Sequence, residues 1–164
     1  VTGVVSISQN VTESRQAEQA LRDSELRFRT LVHVSIQGIA VFRGHRAVFA
    51  NPAFARLSGY AGPADILALP SFANITHPED LPRLEQFLAD VIKGREQDPL
   101  IEFRGVRRDG RTIWVNAVVT PVVWDQLPCM LIAMVDVTER KLAAELRLRN
   151  ERTIKDLLML AASL

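Results

Sequence analysis

The chain has 164 residues, 48% of them hydrophobic and 24% charged, with a formal net charge of +1. That composition fits one globular core of moderate size. The near-balanced charge leaves no electrostatic case for nucleic acid or an anionic membrane surface as partner, and no apolar run approaches the ~20 residues of a membrane span.

In chain order, residues 4–8 are short, β-branched and alternating, which predicts a strand, and helix-forming residues follow at once from 11 to 31. Along that helix Ser14, Ala17, Leu21, Ser24, Phe28 and Leu31 recur at spacings of three and four, a coiled-coil seam with weak positions. Two short strands are expected at 38–42 and 46–50, around Gly44-His45. Asn51-Pro52 then predicts a helix start, with Asn51 as N-cap and Pro52 at the first helical position, and Gly59 stops it. Phe54 and Leu57 form its inward edge. Residues 61–73 read as short helical turns broken at Pro63 and Pro70. Thr76 with Glu79 fits a capping box that opens a helix carrying Leu81, Leu84, Leu88 and Val91, and Gly94 ends it.

Residues 100–123 form the clearest hairpin, turning at Asp109-Gly110. A two-residue loop would set Glu102 and Arg104 against Ile113 and Val115, burying charge without a partner. A three-residue loop, with Gly110 in the left-handed region and a bulge, shifts the phase by one. It groups Ile101, Phe103 and Gly105 with Ile113, Val115, Ala117 and Val119, so the bulged turn is expected. The other face mixes Glu102, Arg104, Arg108, Thr112 and Asn116 with Trp114.

Residues 128–137 make a last strand that is apolar on both faces and therefore covered on both. It holds the single cysteine, Cys129, which reads as a buried apolar thiol rather than a nucleophile. With no second cysteine for a disulfide, a reducing compartment fits. Asp136 or Thr138 caps a final helix, along which Ala143, Leu146, Asn150, Thr153, Leu157, Leu160 and Leu164 continue a seam. The strand-to-helix run VVSISQNVTE at 4–13 lines up with MLIAMVDVTE at 130–139, so the start of the chain reads as the tail of a preceding unit. A start without Met and a stop inside LLMLAASL mark it as a piece of a longer protein.

GIAVFRGHRAVFANPAFARLSGY, NITHPEDLPRLEQFLADVIKG, EFRGVRRDGRTIWVNAVVTPVV and MVDVTERK, in that order, resemble a PAS domain with its C-terminal associated motif, over roughly residues 25–140. The resemblance implies an α+β fold. Its five-stranded antiparallel sheet runs in the order 2-1-5-4-3, with short helices on one face and coiled-coil-like helices flanking it at both ends. The organisation expected is the last strand of a preceding PAS repeat at 1–10, a linker helix at 11–33, the PAS domain at 34–138, and a signalling helix at 139–164 leading to an output domain. The implied function is sensing a small ligand, or relaying a conformational signal, in a bacterial signalling protein of the cytoplasm, with any membrane anchor elsewhere in the full-length protein. A histidine kinase is the favoured output, because LLMLAASL resembles the start of a dimerisation helix. The sensor of a diguanylate cyclase and a ligand-free dimerisation spacer are the alternatives.

No catalytic or metal constellation is expected. Glu79 and Asp80, beside His77, read as complements to a helix dipole, and His33 and His45 lack metal-ligand spacing. Flavin-binding light sensors of this superfamily carry a cysteine where LPSFANITHPED has none, which argues against covalent flavin chemistry. His77 stands at a helix cap rather than within the helix, which argues against haem. The phase argument leaves an inner wall of Phe54, Leu57, Phe87, Phe103, Gly105, Val115, Ala117, Met130, Ile132 and Met134, which either fills a core or holds a small apolar ligand. Trp114, Val118, Leu131, Ala133 and Val135 fall on the outer face, to be covered by Phe28 and Leu31 of the first helix or by a second protomer of a homodimer. Trp114, Asp136 and Thr138 are expected to couple the sheet to the last helix.

Overall fold

The computed structural model describes residues 2–95 and 98–164, in two compact units, residues 1–35 and residues 36–164. The first unit is a single long helix, α1 (Thr2–Val34). Residues 4–8 therefore lie in a helix and not in the strand their alternation predicts. A strand needs a neighbour to take its ladder hydrogen bonds, and among the described residues none pairs with this stretch. A helix satisfies the same backbone groups locally. The similar run near the other end has a strand on each side, which holds it extended.

The second unit is built on β1 (Gly38–Arg43), β2 (Arg46–Ala50), β3 (Leu100–Val106), β4 (Thr112–Trp124) and β5 (Leu127–Asp136). They form one antiparallel sheet in the order β2-β1-β5-β4-β3. β5 is central, between β1 and β4; Met130 and Met134 on its inner face are buried, whereas Leu131, Ala133 and Val135 on its outer face are only half-buried, short of the cover on both faces that its sequence predicts.

The β3–β4 hairpin has the bulged turn. Phe103 faces Val115 and Gly105 faces Ile113, the phase that a three-residue loop requires. Gly110 N–H donates to Arg107 O at 2.9 Å and Arg107 N–H to Arg111 O at 2.8 Å, and Gly110 has φ +87°, which only glycine adopts without strain. Burial alternates along both strands, placing Ile101, Phe103, Ile113, Val115 and Ala117 inside. The isoleucine, valine and phenylalanine side chains among these contribute about 1.5–3 kcal/mol each when fully buried.

The inner face is covered by α2 (Pro52–Leu57), α3 (Pro63–Ala68), a 3-10 turn at Phe72–Ile75, and α4 (Leu81–Ile92). Asn51 caps α2 as its sequence predicts, its Oδ1 accepting from Phe54 N–H at 2.9 Å. α4 starts at Leu81, later than the Thr76-Glu79 capping box suggested. The Thr76 hydroxyl donates instead to Phe72 O at 2.9 Å, and the Thr76 backbone is extended and bridges to Gly105, so the helix does not open there. The last element, α5 (Thr138–Ala162), has no buried residue, and its seam positions Leu146, Leu157 and Leu160 are exposed. Among the described residues, no helix is long and apolar enough to cross a membrane.

Candidate functional site

Two features stand out in the second unit: an internal cavity and a joint between the sheet and α5. The cavity lies between the sheet and the helical layer, with a volume of about 40 Å³. Of the side chains expected around it, Phe54, Phe103, Val115, Ile132 and Met134 reach it, as do Gly105 and Ala117.

Leu57, Phe87 and Met130 do not. Leu57 packs down on Gly38, where a Cβ would stand 2.9 Å from Leu57 Cδ1. Phe87 packs against the core beside the cavity, where it borders a groove with Arg83, Asp98 and Ile101. Met130 lies at the other end of β5, on a surface groove shared with Cys129, Pro121 and Ile92. Among the residues that sequence reasoning left out of this wall, Phe42, Phe72, Ile75, Leu84 and Val119 also line it. Strand alternation carried a signal for Phe42 and Val119, whereas the others depend on how the helices pack.

Ser58 and Thr76 are the polar residues of this lining, and the Thr76 hydroxyl is already committed to Phe72 O. A site for an ordinary organic ligand measures roughly 300–1,000 Å³, and a water needs about 10–15 Å³. The cavity therefore suits a few waters or a molecule of a few heavy atoms as its side chains stand. Among the described residues no cluster of three or more His, Cys, Asp or Glu could hold a metal.

At the joint, Trp114, Asp136 and Thr138 come together. Trp114 N–H donates to Thr138 Oγ1 at 2.9 Å, and Val137 N–H donates to Trp114 O at 2.8 Å. Thr138 N–H and Oγ1–H both donate to Asp136 Oδ1, at 2.8 and 2.5 Å. Asp136 thus satisfies one of the orphan N–H groups at the start of α5. The Thr138 hydroxyl in turn ties that start to β4.

The Trp114 ring is met by two cations. Lys141 Nζ of α5 lies 3.7 Å from its centroid, and the Arg104 guanidinium of β3 lies 5.7 Å away. Lys141 is also ion-paired with Glu102. Arg104 binds the residues just before α4: its backbone N–H donates to Asp80 Oδ2 at 2.7 Å, and its guanidinium reaches Asp80 at 2.7 Å and Glu79 at 3.0 Å. That hydrogen-bonded guanidinium pulls the Asp80 carboxyl down to about 2, against the opposing effect of its burial. Glu79 and Asp80 are therefore partners of Arg104 on β3, which the helix-dipole reading overlooked. Arg104 O also accepts from His77 N–H at 2.9 Å, and Glu102 O from the Arg83 side chain at 2.8 Å, so the outer edge of β3 is closed to further pairing.

The sequence from 47 to 134 matches the family model described as the PAS fold. The chain belongs to the PAS family. Over 135 residues it is 33% identical to the sensor histidine kinase TmoS of Ectopseudomonas mendocina, a match covering 80% of this chain and 14% of that protein. The PAS domain of a Colwellia psychrerythraea protein superposes with a TM-score of 0.60 at 17% identity, covering 69% of this chain and 96% of that one. A sensory box histidine kinase/response regulator from Burkholderia thailandensis superposes with a TM-score of 0.58 at 24% identity, covering 79% and 98%. These structural likenesses establish the PAS fold, and the family makes the chain a sensory module of signal transduction.

Proposed function

We propose that this PAS module passes a change in its core through β4 and β5 to α5, and by way of α5 to a histidine kinase output. The observation that carries the reading is the Thr138 hydroxyl, which takes the Trp114 N–H of β4 while donating to Asp136 at the end of β5. The first turn of α5 cannot move without disturbing the sheet. The kinase output is supported by the likeness to a sensor histidine kinase. Residues 11–33 then serve as a linker helix and residues 139–164 as the signalling helix, in a cytoplasmic homodimer. The exposed leucines along α5 supply the apolar seam that a second copy would bury.

Asp136→Ala in the full-length protein tests this. Autophosphorylation should change well beyond what the loss of a cap worth ~1 kcal/mol does to folding. Unchanged kinase output with a native fold would defeat the reading. The size of the cavity favours a second reading, a ligand-free dimerisation spacer. Native mass spectrometry separates them: a co-purified small molecule excludes the spacer.

A further inference from the structure

We infer that Trp114 joins the cavity wall to the signalling helix, through the two cations that share its ring. The inference rests on the sensory reading above and specifies its route. Its cavity end is the segment Thr76–Asp80. Thr76 and Gly105 both line the cavity and are joined side by side by an antiparallel bridge, and four residues on, Asp80 grips Arg104 by both backbone and guanidinium. A shift of this segment must therefore carry the Arg104 side chain with it.

Arg104 and Trp114 are directly opposed on β3 and β4, and the guanidinium sits 5.7 Å from the ring centroid. The same ring holds Lys141 at 3.7 Å, one turn into α5. Glu102, two residues from Arg104 on the same face of β3, pairs with Lys141. Two like charges on one aromatic ring compete: withdrawing Arg104 strengthens the attraction between the ring and Lys141, and pressing it closer weakens that attraction. Glu102 and Asp80 hold the two cations apart by neutralising each on its own side. Asp136 and Thr138 fasten the backbone of α5, while Lys141 sets how firmly its first turn lies on the sheet.

Amide hydrogen exchange on the 164-residue chain tests the route without reference to any output activity. Lys141→Met should speed exchange across the first two turns of α5 about tenfold, and Lys141→Arg, which keeps the cation, should restore most of the protection. Asp80→Asn, in a distant part of the sequence, should change exchange in the same turns about fivefold more than it changes exchange in β5, which reports the general loss of stability. The double variant should resemble Lys141→Met alone, because both act through one ring. Wild-type exchange in α5 for Asp80→Asn, or a double variant equal to the product of the singles, would overturn the inference. A uniform rise that includes β5 would overturn it as well, since it marks general destabilisation. These outcomes are independent of the kinase assay, so the route can fail while the sensory reading stands.

Discussion

Asn51 and Ile39 are joined twice. Asn51 N–H donates to Ile39 O at 2.8 Å, and Ile39 N–H donates to the Asn51 side-chain oxygen at 2.9 Å. The same oxygen caps α2, and the amide nitrogen donates to Gln37 O at 3.0 Å. One fully buried side chain thus fastens the first helix of the inner layer to the first strand. Asn51→Ala removes the cap and leaves buried N–H groups without acceptors, for a loss of about 2–4 kcal/mol in urea denaturation.

The Asp80–Arg104 pair makes stability depend on acid. The folded carboxyl titrates at about 2, below its ordinary 3.8, so its contribution is complete above about pH 5 and fades as the pH falls from 4 towards 2. Asp80→Asn should cost on the order of 1–2 kcal/mol at neutral pH, allowing for solvent screening at the partly exposed Arg104. The gap between variant and wild type should close near pH 2. A gap that persists there would show that the loss is steric.

Two glycines of the sheet predict opposite outcomes. At Gly38 a Cβ would meet Leu57 Cδ1 at 2.9 Å and Phe54 Cα at 3.0 Å, so Gly38→Ala must push α2 off β1 at about 1–3 kcal/mol. At Gly105 the nearest atoms, Ile113 Cγ1 and Ile75 O, stand at 3.4 Å. Gly105→Ala should therefore lie within about 1 kcal/mol of wild type, with a favourable entropic share. Thermal unfolding of the two variants side by side checks both.

The exposed seam of α5 predicts a change of assembly. Leu157→Lys with Leu160→Lys places charge where a second helix would pack; if α5 pairs with a second copy as proposed, sedimentation should show a dimer for the wild type and a monomer for the variant. A dimer that survives both substitutions must be held elsewhere.

Much of this architecture was legible in the sequence because local chemistry and tertiary need agree. The hairpin phase followed from keeping Glu102 and Arg104 away from Ile113 and Val115, and the Asn51-Pro52 start from capping chemistry. The failures have long-range causes. Residues 4–8 read as a strand because alternation cannot show whether a partner strand exists. Thr76 read as a cap because its claim on Phe72 O and its bridge to Gly105 depend on the 3-10 turn and on β3. Leu57, Phe87 and Met130 carry the right chemistry for a cavity wall, but the rotation of α2 and α4 and the position along β5 decide what they face. Trp114, Asp136 and Thr138 could be found from the strand-to-helix switch. The hairpin phase already put Arg104 on the outer face with Trp114, whereas Lys141 meets that ring only once α5 lies against the sheet.

The loop of three residues, Arg108 to Gly110, also limits how this hairpin can change length over evolution. Removing one residue forces either a rebuilt loop or a slip of one strand, and a slip would drive Trp114 into the core and turn Val115 out to solvent. Insertions and deletions here are tolerable in matched pairs, one residue from each strand, which keep the parity of both faces. Related chains should therefore vary in the reach of this hairpin by even numbers of residues, while the assignment of its two faces stays the same.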